Sequence, residues 1–441
     1  MDTHCSLFPN VSTQRFGVVL TLLLVPFLTG CDSLLDVEPT DQVTAEDLEQ
    51  PSNASTLVDG AIADYECAHA AYAYYTAILG DEFRADASDA GIEIRTNIRT
   101  ASPSNWADGD CGTGILGIYG PISTARWSAD NALENLEGWT DEQVPNRTEL
   151  IATAAAYSGY AHLFHAEGMQ RAAFDGGPAL PPDSVLARAD RRFTRAIEAA
   201  ESAGVTKMLN FALVGRARTR LNQAWDAGTL DDPTALQNAA DDARRVPKGF
   251  SVEATYSTSS ERTENHVYNA NGPGVENIGQ TIGAPYRNAE FDGVDDPRLP
   301  VVEDADGSIG ESLPLWIQEK YVSASAAIEI ASWEEAKLIV AGAELEAGNL
   351  SAAVSIINEL HRDVGLPDTY SSSNPDDIRD QIIYERRAEL FLEGKLLGDA
   401  RRYDLPFSPP VGAETGSGLT YGDVRAFPLP NVEVDNNPNI D

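Results

Sequence analysis

Apolar residues recur at three- and four-residue spacing along most of the chain, the period of an amphipathic helix. From Ser52 or Ser55, either of which can cap a helix, the stripe runs through Ala61, Ile62, Tyr65 and Ala68 to Leu79. The same period predicts helices over 122–136 and over an Ala-rich 147–174, where Leu150, Ala154, Tyr157, Ala161 and Phe164 share a face. It also predicts helices from Asp183 through Leu186, Phe193 and Ile197 to Ala200, over 207–225 and over 233–246, with Gly228 between the last two. Trp225 and Trp333 fall in such stripes and are expected in the core. Three stretches interrupt the pattern, 80–118, 249–331 and 404–441, where Gly, Pro, Asn, Asp and Ser surround short apolar runs. No linker separates them from the helices, so residues 51–441 read as one domain whose long loops supply a binding surface.

Two segments look like helical hairpins: LNFALVGRARTRLNQAWDAG followed by PTALQNAADDARRVP, and SWEEAKLIVAGAELEAGNLSAAVSIINELHRDVG. Gly215 and Ala217 in the first, and Ala341 and Ala343 in the second, leave room for close helix approach. The arrangement resembles the tetratricopeptide pattern of two antiparallel helices per unit. One such hairpin cannot bury its stripe alone, so it must stack on neighbours. The predicted fold class is mostly α: a tetratricopeptide-like helical-hairpin scaffold with a loop-rich ligand-binding subdomain.

The N-terminus reads as a sorting signal. VVLTLLLVPFL, residues 18–28, follows Arg15 and precedes small residues, the layout of a secretory signal. It is shorter than the roughly 20 residues a spanning helix needs. Leu28-Thr29-Gly30-Cys31 resembles the lipobox of bacterial lipoproteins. The resemblance implies that residues 1–30 are removed, that Cys31 is lipidated, and that 31–50 form an acidic tether. Cys5 leaves with the signal. Besides Cys31, Cys67 and Cys111 remain, and in an exported chain they can pair or stay as buried thiols.

Charge narrows the function classes. Asp and Glu number 69 against 31 Lys and Arg, a formal charge of -38, which excludes sequence-independent nucleic-acid binding. The basic set is 5 Lys and 26 Arg, and such an acidic, Lys-poor surface suits a salty medium that screens self-repulsion. Gly112, Gly114 and Gly117 match GxGxxG, but no strand precedes them and Pro121 follows, so a dinucleotide site is not expected. His162 and His165 stand one turn apart without a well-placed third ligand and are expected to pack rather than bind metal. Placing Gly307 sixth in an EF-hand loop puts Val302 first and Leu313 twelfth, and neither can ligate calcium through its side chain. No catalytic, metal or cofactor motif stands out.

In the C-terminal third, Ile378, Ile382, Glu385 and Glu389 fall on one helix face. Buried carboxylates need partners, and Arg386, Arg387, Arg401 and Arg402 are the expected ones, forming a structural network. The run Ile382-Ile383-Tyr384-Glu385-Arg386-Arg387-Ala388-Glu389-Leu390-Phe391-Leu392-Glu393-Gly394-Lys395, continuing to Asp399-Ala400-Arg401-Arg402-Tyr403, strongly resembles the signature helix of the SusD/RagB family. Ala426-Phe427-Pro428-Leu429-Pro430 with Glu433 and Asn437-Pro438 looks like that family's closing motif. Asp296-Pro297-Arg298-Leu299 with Lys320-Tyr321 looks like its mid-chain loop, and Leu79-Gly80-Asp81-Glu82 fits its N-terminal layout.

The resemblance implies a SusD-like protein: a lipid-anchored outer-membrane lipoprotein, at the cell surface, that performs no covalent chemistry and uses no cofactor. It would bind a glycan or oligosaccharide and deliver it to a TonB-dependent transporter of the SusC type. A peptide-binding member of the same uptake system is the nearer alternative, and a lipid-anchored glycan hydrolase the more distant one. Trp106, with Asn105 and Arg84, is the first candidate for stacking on and hydrogen-bonding a sugar; Tyr286, Arg287 and Trp316 are the second. The net charge favours a neutral glycan, since an anionic one needs a local basic patch, and the Arg188, Arg191, Arg192 and Arg195 cluster lies on a scaffold helix.

Overall fold

The structure, a computed structural model, describes residues 48–85, 92–103, 109, 111, 117–276, 278–309 and 313–440. Cys31, Asn105 and Trp106 lie outside them, as do residues 112–116 of the glycine-rich run.

Helix α1 (Ala54–Leu79) begins between the two serines expected to cap it, with Asn53 at the capping position, and is buried almost continuously from Cys67 onward. After it come strand β1 (Phe83–Ala85), α2 (Ile92–Asn97), α3 (Tyr119–Gly138) and α4 (Arg147–Gly168). The apolar pattern carries α4 six residues further than it runs. It stops at Gly168 because Met169 turns extended and bridges Phe427 in parallel. The Phe427 amide then donates to the Gly168 carbonyl at 2.7 Å, satisfying a helix-end group that water would otherwise take.

Helices α5 (Pro182–Ala203), α6 (Thr206–Ala224) and α7 (Pro233–Ala243) follow, α6 and α7 being joined by the two-residue strands β2 (Trp225–Asp226) and β3 (Thr229–Leu230). Phe193 of α5 lies against both Gly159 of α4 and Gly215 of α6, where a methyl group would overlap its ring. The close approach read from Gly215 is therefore real, and a ring fills the space. Tyr72 and Tyr65 of α1 stack on Phe164 of α4 at 4.3 and 5.1 Å, and Tyr160 stacks on Phe211 at 4.4 Å, so aromatic contacts join α1, α4 and α6.

The 249–331 excursion is richer in strands than its composition suggests. It holds β4 (Ser251–Ala254), α8 (His266–Asn271), β5 (Gln280–Ile282), β6 (Glu290–Phe291), β7 (Val294–Asp295), β8 (Val301–Ile309), β9 (Leu313–Gln318) and β10 (Ile328–Ser332). Among the described residues all ladders are antiparallel pairs: β1–β5, β2–β3, β4–β10, β6–β7 and β8–β9. Two-stranded ladders are marginal alone and depend on the helices beneath them.

The second hairpin is α9 (Trp333–Glu346) and α10 (Leu350–Val364), with Gly348 at φ +79° in the turn, a conformation that favours glycine. The chain closes with α11 (Pro375–Glu389), α12 (Leu396–Arg402) and α13 (Asn431–Asn436). Stacked helical hairpins with a loop-and-ladder layer thus make a mostly helical, tetratricopeptide-like scaffold.

The ion pairs of the C-terminal segment differ from those expected. Glu385 and Glu389 meet Arg298 of the mid-chain loop, at 2.6 and 2.9 Å, rather than the neighbouring arginines. Residues adjacent on a helix point to different faces, so Arg386 reaches Asp399 at 2.9 Å, and Arg402 also pairs with Asp399. Arg401 pairs with Asp183 at 3.2 Å, while Arg387 lies 5.7 Å over the Tyr286 ring. A second buried network joins α6 to α9 and the turn after α11. Arg218 grips Glu335 through two bonds of 2.5 and 2.6 Å, Lys395 bridges Glu335 and Glu393, and Lys320 bonds Glu393 at 2.7 Å. Burial alone would raise the Glu335 carboxyl, but the Arg218 and Lys395 charges hold it at about 2. Glu82 accepts the Leu392 amide at 2.8 Å, tying that turn to the end of α1.

Cys67 and Cys111 are disulfide-bonded, with Cα atoms 5.7 Å apart, and pin the first excursion to α1. His162 and His165 are buried, their Nδ1 atoms 2.8 and 2.9 Å from the Ser158 and Ala161 carbonyls, and both rings pack edge-on near Phe174. Burial pushes them down to about 4 and about 3, the state of packed neutral imidazoles.

Candidate functional site

Strand β1 carries Arg84 and pairs with β5 in the register Phe83↔Ile282, Arg84↔Thr281, Ala85↔Gln280. Thr281 then links β5 to β9: its hydroxyl accepts the Trp316 amide at 2.7 Å and donates to the Pro314 carbonyl at 2.9 Å. Asn271, fully buried, completes the junction. It donates to the Gln280 and Trp316 carbonyls at 2.9 and 3.0 Å and accepts the Gln318 amide at 2.9 Å. Three segments remote in sequence thereby present one face holding Arg84, Arg287 and Trp316.

Each arginine is fixed on this face. Arg84 donates to the Tyr421 hydroxyl at 2.5 Å, with its guanidinium 5.4 Å from that ring. Arg287 stacks 5.3 Å over the Trp316 ring and donates through Nε and Nη2 to the Ile282 carbonyl, at 2.8 and 2.5 Å. Stacking and a shared carbonyl set the plane of the guanidinium while keeping its charge. Burial lowers the Arg287 pKa, and the nearby Arg84 charge lowers it further.

The remaining candidates sit differently. Tyr286 is only 2% exposed, stacked on Phe391 at 5.0 Å with the Arg387 guanidinium 5.7 Å from its ring, and so is packed in the core rather than open to a ligand. Trp316 is 9% exposed, and Arg287 covers part of it. Its indole therefore orients a cation more than it offers an open platform. Tyr421, Thr281 and Asn271 were not singled out from sequence; nothing local marks them, since each matters only through the pairing of distant segments. Arg192 and Arg195 of the helical cluster bond Asp130 and Glu137 at 2.9 and 2.7 Å, a scaffold role.

A second concavity has the opposite sign. A cavity of about 610 Å³ between β4, the 297–300 loop and α10 is lined by Glu319, Glu329, Glu334, Asp363, Glu389 and Glu393. Its two basic lining residues are already engaged, Arg298 with Glu389 and Lys320 with Glu393. Burial pushes Glu389 up to about 7 against the pull of Arg298. Among the described residues no cluster of His, Cys, Asp and Glu is arranged to hold a metal, and no helix is long and apolar enough to cross a membrane.

A helical-hairpin scaffold holding a polar face built from loop segments defines a tetratricopeptide-like protein with a loop-built candidate binding face. The SusD family model matches residues 335–441, which include the Glu385–Arg402 segment and the closing motif. The fold is similar to that of a SusD superfamily protein from Parabacteroides distasonis (TM-score 0.67, 11% identity, covering 91% of this chain and 99% of that one). It is similar to a SusD homolog from Bacteroides thetaiotaomicron (TM-score 0.69, 13% identity, 90% and 98%). It is also similar to surface glycan-binding protein A from Bacteroides thetaiotaomicron, solved in complex with laminarihexaose (TM-score 0.65, 14% identity, 88% and 98%). No curated protein matches by sequence. The family match is confined to the C-terminal part of the chain, and over the rest the likeness to these solved structures is one of fold.

Proposed function

We propose that this protein is a non-enzymatic lipoprotein of the outer-membrane surface that binds a saccharide and passes it to a TonB-dependent transporter of the SusC type. On this reading residues 1–30 are a removed signal, Cys31 carries the lipid, 31–50 are the tether and 51–441 the binding domain. The observation that carries the reading is the arginine–tryptophan face on a SusD scaffold, built from the first and second excursions and braced by Tyr421 of the third. Surface glycan-binding protein A, which shares the fold, was solved with an oligosaccharide bound, and that similarity supports a saccharide here. Arg84 and Arg287 supply donors for hydroxyl or acidic oxygens, with Asn105 and Trp106 proposed beside them. Such contacts replace bonds to water and are individually modest, which suits a carrier that must release its cargo.

The test is a mild-detergent pull-down of the tagged, lipidated chain from its native membrane. The expected result is a stoichiometric partner with a plug-and-barrel sequence, and loss of both membrane retention and partner in Cys31→Ser. Recovery of the protein alone, or with barrel-assembly factors, would count against delivery to a transporter.

A further inference from the structure

The charge of the ligand can be read from how this chain treats its arginines. Buried and half-buried guanidiniums generally end on carboxylates: Arg99 on Asp81 at 3.1 Å, Arg126 on Asp175 at 3.0 Å, Arg216 on Asp242 at 2.7 Å, Arg218 on Glu335, Arg298 on Asp296 and Arg386 on Asp399. With 69 acidic residues to 31 basic ones, a counter-ion is easy to supply. Arg84 and Arg287 nevertheless have none at ion-pair distance among the described residues; their bonds go to a phenol and a carbonyl. Asp81 acts on Arg84 only at longer range, because its carboxylate is bonded to Arg99 and the Ser408 amide. Glu303, which faces Trp316 across the β8–β9 ladder, acts on Arg287 without pairing with it.

Two neighbouring half-buried cations with no counter-ion among the described residues are unfavourable for the fold alone. Yet both are held in fixed planes, Arg84 on Tyr421 and Arg287 on Trp316. Among the described residues neither Nη1 has a bonding partner, and neither is among the buried atoms lacking one, so both reach solvent. An anionic group between them would supply the missing charge and accept directed, charge-assisted bonds. The formal charge of -38 does not oppose this at contact range: distant charges are screened within about 8–10 Å at ordinary salt, while contacts of a few ångströms are not.

We propose that the Arg84–Arg287 face recognises an acidic saccharide, through the carboxylate of a uronic acid or a sulfate ester, reversing the preference for a neutral glycan drawn from net charge alone. The proposal rests on the saccharide-binding reading and deepens it.

Affinity electrophoresis of the full chain in mild detergent, at ordinary salt, tests both and separates them. The gels contain polygalacturonate, its fully methyl-esterified neutral form, a sulfated galactan, or the neutral glucan laminarin. The expected result is retardation by at least one acidic polymer and at least about tenfold weaker retardation by the neutral ones. Retardation by polygalacturonate alone assigns the carboxylate; by the galactan alone, the sulfate. Arg84→Gln and Arg287→Gln should each weaken acidic retardation by about ten- to a hundredfold, with Arg287→Lys, which keeps the charge but loses the stacked plane, falling between. Thermal unfolding of each variant checks that the fold persists. Retardation by laminarin or the methyl ester equal to that by the acidic polymers would overturn the acidic assignment and leave saccharide binding standing. Unchanged acidic retardation in folded variants would also overturn it. No retardation by any of the four polymers would overturn both readings.

Discussion

Replacing Arg298 by alanine is expected to lower the free energy of unfolding by about 3–5 kcal/mol, the range for stripping one partner from a buried ion pair. Arg298 is the hub of three carboxylates. It bonds Glu385 at 2.6 Å, Glu389 at 2.9 Å and Asp296 through two bonds of 2.9 and 2.7 Å. The Glu385 and Asp296 side chains are fully buried, and Arg298 itself is 5% exposed. Without it Glu385 keeps His361 and Gln381, at 2.7 and 2.6 Å, but loses its guanidinium. The variant also frees the 296–300 loop that leads into β8, so the ligand face should loosen with the core. Urea denaturation of wild type, Arg298→Ala and Arg298→Met separates lost charge from lost volume, and both variants should fall well below wild type. A loss under about 1 kcal/mol would show that this network does not close the domain.

Reducing the Cys67–Cys111 disulfide, or replacing both residues by alanine, is expected to remove about 2–4 kcal/mol. The bond spans 44 positions, and closing a loop of that length restricts the unfolded chain by up to about 4 kcal/mol in the entropic account. The consequence reaches function as well, because Arg84, Asn105 and Trp106 all lie inside the closed loop. Loss of the bond should therefore weaken ligand retention in addition to lowering the denaturation midpoint. Denaturation with and without a thiol reductant reads the first effect, and affinity electrophoresis the second. An unchanged midpoint under reductant would mean that the excursion is held by its other contacts alone.

The helical scaffold was legible because its information is local. The three-to-four spacing in 54–79, 182–203 and 206–224 marks faces that any partner could bury, and Gly215 marked a close approach that Phe193 fills. The end of α4 was not legible, because its stop is set by Phe427, more than 250 positions away. The ion pairs show the same division. That Glu385 and Glu389 needed cations followed from their shared face with two isoleucines, but that Arg298 supplies the charge depends on a loop returning across the helix. At the candidate site, Arg84, Arg287 and Trp316 were named from residue type and loop placement. Their mutual arrangement depends on the β1–β5 register and on Thr281, which no local pattern announces. Tyr286 is buried instead of presented because Phe391 and Arg387, both remote in sequence, pack against its ring.

Hydrogen exchange of the full chain, with and without a saturating concentration of an acidic oligosaccharide that retards it, tests most directly where the ligand sits. The account predicts protection in 83–85, 280–287 and 313–318, with slowed exchange around Tyr421, and little change around the 297–300 loop and α10. Protection concentrated at the carboxylate-lined cavity, in 249–251, 297–300 and 360–364, with none at β1 and β5, would contradict it.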